Sequence, residues 1–143
     1  MSKKNVLFLC TGNSCRSQMA EGWARHFHGD TVEAYSAGIE AHGMNPNAMQ
    51  VMKEAGVDLS DQSSKLASAL SDVSLDLVIT VCGHADENCP AFLTESKLVH
   101  VGFDDPPKLA KDTASEDAAL DCYRRVRDEI RDFVSNQLPG MLE

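Results

Sequence analysis

A cysteine and an arginine six positions apart, Cys10 and Arg16, bracket a run of small and polar residues, Thr11-Gly12-Asn13-Ser14-Cys15, and Ser17 follows directly. A thiolate is a strong nucleophile, and a guanidinium offers a planar fork of donors that fits a tetrahedral oxyanion. A helix N-terminus or a nearby cation can lower a cysteine pKa from about 8.5 into the range ~3.5–7.5. The Ser17 hydroxyl can donate a hydrogen bond to the same sulfur. Residues 10–17 contain no acid, so nothing in the run repels an anion. The chemistry that these types allow is attack by Cys10 on an oxyanion held beside it.

Such a run works only if the chain around it has the right shape. Val6 to Leu9 is an apolar stretch that reads as a buried strand ending on Cys10, and Arg16 and Ser17 open a helical pattern through Phe27. A strand, a tight polar loop and a helix start together aim backbone N–H groups at one point, where the helix dipole also favours negative charge. Gly12 and Asn13 are the types that tolerate a left-handed backbone in such a loop. A Cys–Arg pair without this setting would read as a buried thiol at a strand end.

Three further strands follow: Thr31 to Ala37 closed by Gly38, Leu75 to Val81 ending at Cys82, and Lys97 to Val101. Between and after them the pattern gives a helix from Pro46 to Gly56, with Asn45 before it and Met49 and Met52 on its apolar face. A short helix capped by Ser63 or Ser64 runs through Leu70, and a long final helix runs from Ser115 to about Gln137. Glu116 and Asp117 fall in the first turn of that last helix, where acids suit the dipole. Strands alternating with helices predict one domain over residues 1–143, an α/β fold with an open four-stranded parallel sheet, order 2-1-3-4, and helices on both faces. The binding crevice then lies beyond the carboxyl ends of the strands. Cys10, Cys82 and the Asp105 loop all fall there, with Cys10 and Cys82 on neighbouring strands.

Cys82 and Cys89 suggest a second chemistry. On a continuous helix, sulfurs seven apart are separated by a rise of ~10.5 Å, too far for a disulfide, which needs Cα atoms within ~7 Å. Gly83 and the polar run to Asn88 fit a segment that opens easily, with Pro90 as its stop. A thiol relay follows, from Cys10 to Cys82 to Cys89. Ordinary buried thiols are the plain alternative, and a zinc site of Cys82, His84 and Cys89 is another, short of a fourth ligand. Cys15 and Cys122 read as structural. His26 and His28, two apart, face different ways. Asp105, stiffened by Pro106, is the candidate proton donor, and Asp104 is its rival.

The totals exclude much. A net charge of −9 over 143 residues disfavours nucleic acid and anionic membranes as partners. No apolar run is long enough to span a bilayer, and the apolar stretch behind Met1-Ser2-Lys3-Lys4 is too short for a signal peptide, so a cytoplasmic, monomeric protein is the expectation. Five cysteines in such a chain point to redox or nucleophilic chemistry rather than a disulfide framework.

The run from Cys10 to Ser17 early in the chain and Asp105-Pro106 late in it resemble the low-molecular-weight protein tyrosine phosphatases. With Cys82 and Cys89 added, the chain resembles the thioredoxin-coupled arsenate reductases built on that fold. The resemblance covers essentially the whole chain. It implies that Cys10 attacks arsenate to form a covalent adduct, while Thr11, Gly12, Asn13, Ser14, Cys15 and Arg16 hold the oxygens. It also implies that Ser17 favours the Cys10 thiolate and that Asp105 protonates the leaving oxygen. Cys82 and Cys89 then carry the disulfide outward to thioredoxin, with no bound cofactor and a weak phosphatase side activity. Some relatives bind potassium through residues matching Asn13, Glu21 and Ser36, with an acid at the place of Lys65. Here that place is basic, and the expectation is that the Lys65 ammonium substitutes for the ion, the alternative being an exposed lysine. A phosphotyrosine phosphatase is the rival reading, weakened by Pro107-Lys108 where such enzymes carry aromatic residues. A non-catalytic oxyanion or redox sensor is the third.

Overall fold

The apolar run leading to Cys10 needs cover on both faces. In the computed structural model, which describes residues 3–87, 89, 93 and 96–142, it forms β1 (Lys4–Cys10), with Val6 to Leu9 fully buried. Side chains alternate across a strand, so four consecutive buried residues mean that both faces are packed. β1 pairs in parallel with β2 (Val32–Gly38) on one side and β3 (Leu77–Thr80) on the other. β3 in turn pairs with β4 (Lys97–His100), giving the predicted order 2-1-3-4. The register sets Cys10 beside Gly38 and Leu9 beside Thr80, so the ends of β1 and β3 open at one level.

α1 (Arg16–His28) buries Met19, Ala20, Trp23 and Ala24 and packs on β1, β2 and the last long helix. Gly22 lies on its buried side, where a Cβ would come within 2.6 Å of Leu59 Cδ2, so the missing side chain lets the chain after α2 approach. α2 (Pro46–Glu54) starts as its sequence predicts: Asn45 Oδ1 accepts from the Asn47 and Ala48 amides, and Pro46 takes the first position. Gly56, at φ +89°, ends it.

The β3 strand is shorter than the apolar run; just before it the Asp76 amide donates to Asn5 O at 2.8 Å and the Asp76 carboxylate accepts from the Asn5 amide at 2.7 Å. No side chain caps a helix at Ser63 or Ser64. Ala67–Leu70 is a single 3₁₀ turn, and Ser64 Oγ is used elsewhere, donating to the Gly12 carbonyl at 3.1 Å. After β3 comes α3 (Gly83–Glu87), and after β4 a short helix that the sequence pattern did not predict, α4 (Pro106–Ala110), preceded by Asp105. α5 (Glu116–Asn136) begins at Ser115, whose Oγ accepts from the Ala118 amide, and buries Tyr123, Val126, Ile130, Phe133 and Val134. Each of the larger apolar side chains on that stripe stabilises the fold by about 1.5–3 kcal/mol. A final turn, α6 (Leu138–Met141), buries Leu138. Pro90, read as a stop after α3, lies outside the described residues.

Candidate active site

The loop between β1 and α1 is held from outside by its carbonyls. Cys10 O accepts from the Ile39 amide (3.1 Å), Thr11 O from Glu40 (2.8 Å), Gly12 O from His42 (2.9 Å) and Ser14 O from Asn45 (3.0 Å). Asn13 O accepts from Gln18 Nε2 at 3.0 Å. With five successive carbonyls turned outward, the loop amides are left to face inward, the arrangement that an anion nest needs. Asn13 takes the left-handed backbone, at φ +49°. Gly12 does not: its lack of a side chain serves space instead, since a Cβ there would lie 2.3 Å from His42 Nδ1. Gly38 is needed for the same reason, a Cβ falling 2.2 Å from Glu40 O and 2.7 Å from Thr11 O.

Arg16 sits at the side of the pocket, its Nη1 donating to the Phe103 carbonyl at 2.9 Å and its Nη2 3.8 Å from Asp105 Oδ1. Its Nε is buried and is the one such side-chain polar atom without a partner among the described residues. An unmade bond on a buried charged group is costly, and an oxyanion in the loop would satisfy it. The pocket, about 360 Å³, is lined by Cys10, Thr11, Gly12, Ser14, Cys15, Arg16, His42, Asp105 and Pro107. Asp105 therefore faces the loop. Asp104 turns away to Arg125, 3.0 Å distant. The loop is thus gripped by Arg16 through Phe103 and by α5 through Arg125, which holds the Asp105 carboxylate near the loop mouth.

Cys10 and Cys82 meet, as the strand order predicts. The two side chains are neighbours, and both are free cysteines rather than a disulfide. The neighbouring Cys82 and burial push the Cys10 thiol up, against the pull of Arg16 and the Thr11 amide. The neighbouring Cys10 thiol lowers Cys82 to about 5 against its own burial, with help from Thr11 Oγ1 at 3.3 Å, the Ala85 amide and Arg16. At neutral pH the anionic sulfur of the resting pair is therefore Cys82, and the expectation that the helix start and Arg16 lower the Cys10 thiol is corrected: burial and the neighbouring Cys82 outweigh them. Cys15 is buried in the pocket lining, and burial pushes its thiol up to about 12, so it stays protonated. Cys89 is half-buried just beyond α3. Cys122 bonds the Ala118 carbonyl on α5. The zinc alternative depends on His84, whose side chain lies outside the described residues. Among those described, no three metal-binding side chains gather.

Ser17 is fully buried, and its Oγ accepts from Asn13 Nδ2 at 2.9 Å, so its own proton remains available to donate. Behind it lies the group that the resemblance links to potassium. Glu21 is buried and accepts from Ser36 Oγ at 2.7 Å, and burial raises its pKa against the opposing pull of that bond, Lys65 and Arg25. The Lys65 amide donates to Asn13 Oδ1 (2.8 Å), and its Nζ donates to the Ser36 carbonyl (3.1 Å) and the Ser63 carbonyl (2.7 Å). These residues do not fit a bound potassium ion: an ammonium already takes the carbonyl oxygens beside Glu21. The exposed-lysine alternative is thereby corrected, since Lys65 is half-buried and bonded.

Two contributors escaped the sequence reading. Gln18, itself held by Gln62 Nε2 at 2.9 Å, props Asn13 from below. His42 forms a pocket wall; its place just after the end of β2, at the edge where such crevices lie, was the available signal.

The comparisons agree with this geometry. Residues 5–140 match the family described as low molecular weight phosphotyrosine protein phosphatase. The chain is 55% identical over 130 residues, 91% of each protein, to an arsenate reductase of Halalkalibacterium halodurans. It is 48% identical over 136 residues to an arsenate reductase of Staphylococcus aureus, covering 95% of this chain and 97% of that one. A solved structure described as an arsenate reductase in the phosphate binding state superposes with a TM-score of 0.80 at 31% identity, over 98% of this chain and 99% of the other. Fold, nucleophile loop and whole-length similarity lead to one assignment: the chain belongs to the low-molecular-weight phosphotyrosine protein phosphatase family.

Proposed function

We propose that this protein reduces arsenate to arsenite and passes the resulting disulfide to thioredoxin. The observation that carries the reading is the placement of Cys10 and Cys82 side by side at the ends of the paired strands β1 and β3, at the mouth of the anion loop. A hydrolase needs one sulfur there; a two-electron reductant needs a second within reach of the first. Its relatives named arsenate reductases support the substrate. Among the described residues the pocket lining includes no Phe, Tyr or Trp, which suits a small inorganic oxyanion better than a phosphotyrosine ring.

In this mechanism Cys10 passes its proton to the adjacent Cys82 thiolate and attacks arsenic while the loop amides and Arg16 hold the oxygens, and Asp105 protonates the departing oxygen, which leaves as water. Cys82, its proton passing to an arsenic-bound oxygen, then attacks Cys10. The S–As bond breaks with its electron pair going to arsenic, which falls from the five-valent to the three-valent state, and a Cys10–Cys82 disulfide forms. Cys89 attacks Cys82 once the five-residue α3 opens, freeing Cys10, and the dithiol of thioredoxin reduces Cys82–Cys89. The protein serves arsenic detoxification as a monomer in the cytoplasm, where thiols are kept reduced. Among the described residues no helix is long and apolar enough to cross a membrane. Weak hydrolysis of aryl phosphates accompanies the main reaction, because the loop accepts phosphate as readily as arsenate.

The decisive test follows arsenate-dependent NADPH consumption with thioredoxin and its reductase. Wild type turns over continuously; Cys10→Ser, Cys82→Ser and Cys89→Ser do not, and Cys89→Ser still releases one arsenite per chain. Steady aryl phosphate turnover unaffected by Cys82→Ser, with no arsenite formed, would instead identify a phosphatase. Lys65 is proposed to act as a built-in cation beside Glu21. Replacing potassium by sodium then leaves the wild-type rate unchanged, whereas Lys65→Asp makes it rise with potassium.

A further inference from the structure

The five outward carbonyls of the anion loop are held by unequal means. Those of Cys10, Thr11, Gly12 and Ser14 accept from main-chain amides of residues 39–45, which side-chain substitution leaves in place. The Asn13 carbonyl is held by a side chain, Gln18 Nε2, at 3.0 Å. Gln18 lies on α1 and is fully buried. Its amide has one workable orientation: Nε2 also donates to the Ser63 carbonyl at 3.1 Å, and Oε1 accepts from Gln62 Nε2 at 2.9 Å. Turned over, the amide would set an oxygen against two carbonyls and a donor against a donor. Gln62 Nε2 donates to the Gln18 carbonyl as well, at 3.0 Å.

Asn13 is where such a hold matters. Among the described residues it is the one non-glycine with a left-handed backbone, a conformation that costs an L-residue free energy and persists only where its surroundings impose it. Its side chain is tied as well, Oδ1 accepting from the Lys65 amide at 2.8 Å and Nδ2 donating to Ser17 Oγ at 2.9 Å. In a trans peptide the N–H points away from the preceding C=O. An Asn13 carbonyl drawn out to Gln18 therefore turns the Ser14 amide inward, and Ser14 lines the pocket. If Asn13 relaxes to a negative φ, that peptide turns and the loop loses its anion-binding shape.

We propose that Gln18, oriented by Gln62, is a positioning residue that keeps Asn13 left-handed and so keeps the loop ready for an oxyanion. Its bearing on arsenate turnover rests on the reading above; its bearing on phosphate binding rests on the loop alone. Without this latch only a fraction of the molecules has the binding shape, and the apparent dissociation constant rises by the inverse of that fraction. A saturating anion draws all of them back, so the chemical step keeps its rate.

The test measures inorganic phosphate binding to the reduced full-length protein by titration calorimetry, and kcat and KM for arsenate with thioredoxin, its reductase and NADPH. Gln18→Met keeps the length of the side chain but has no donor. Its phosphate Kd rises about 10- to 50-fold, the scale expected when a buried carbonyl loses its donor. KM for arsenate rises by the same factor, and kcat stays within about twofold. A merely structural role moves the opposite quantity, since fewer folded molecules lower kcat at unchanged KM. The Ser14 amide resonance, displaced in free Gln18→Met, returns to its wild-type position when phosphate saturates the site. Gln62→Leu alone weakens phosphate about two- to fivefold, and adds almost nothing in the Gln18→Met background because it acts through Gln18. The proposal is overturned if folded Gln18→Met binds phosphate as the wild type does, if kcat falls at unchanged KM, or if the Gln62→Leu effect persists in full in the double variant. Should Gln18→Met fail to fold, Gln62→Leu decides alone, and a wild-type phosphate Kd there overturns the latch. A wild type that binds phosphate but forms no arsenite sinks the arsenate reading and leaves the phosphate comparison to judge Gln18.

Discussion

The two sulfur-bearing regions of this molecule are built on opposite plans. The loop around Cys10 is fixed from outside by bonds to five successive carbonyls, by a left-handed Asn13 and by two glycines whose Cβ positions are already filled. The segment that carries Cys82 toward Cys89 is one five-residue helix, packed against β1 and β3. Isolated helices of that length have no stability of their own, because nucleation costs more than so few bonds return. A pre-formed nest reduces the reorganisation needed to stabilise charge at reaction; a segment that opens cheaply lets a distant thiol arrive. Stiffness and looseness serve successive steps of one proposed cycle.

That contrast can be broken at several strengths. Cys10→Ser removes arsenite production entirely, because both the attack and the first disulfide need that sulfur; arsenite assayed after prolonged incubation checks it. Arg16→Lys keeps the charge but loses the fork and the buried Nε, and kcat/KM for arsenate should fall about 10²–10³-fold, the usual cost of one donor lost from an oxyanion site. Alkylation of Cys82 by iodoacetamide, read by peptide mass, should drop about tenfold per pH unit below 5, since a thiolate with a lowered pKa is lost as pH falls through that value. In Cys10→Ala the midpoint moves up toward the ordinary thiol range, because the partner thiol is the largest cause of the lowering. Gly38→Ala forces a methyl into backbone atoms and should cost about 1–3 kcal/mol in urea unfolding. The smallest effect tests the loose side. A Cβ on Gly83 meets nothing within 4 Å, so Gly83→Ala stiffens α3 by about 0.5–1 kcal/mol and slows transfer from Cys82 to Cys89 about two- to fivefold.

Much of this was legible beforehand, for physical reasons. Buried parallel strands require unbroken apolar runs, so β1 and β3 announced themselves, and their order followed from chain alternation and handedness. Caps at Asn45 and Ser115 were visible because their side chains do one local job. Ser64 was misread for the converse reason: the same hydroxyl that can cap a helix bonds instead to Gly12 O, 52 positions away. Gly12 illustrates the same limit, since sequence shows that a side chain is missing but not whether the need is for backbone rotation or for the His42 ring. The α4 helix was hidden behind Asp105-Pro106, a pair that suits a turn and a helix start equally well.

The outward-turned carbonyls carry a further consequence. A nest fixed in this way grips any four-oxygen anion of the right size, and phosphate and arsenate are near twins in shape and charge. Discrimination then cannot reside in docking. Phosphorus resists reduction by thiols and arsenic does not, so a phosphate guest departs unchanged while an arsenate guest is converted. Selection falls on what the visitor undergoes after admission, and a cell rich in phosphate would slow this catalyst without ever misdirecting it.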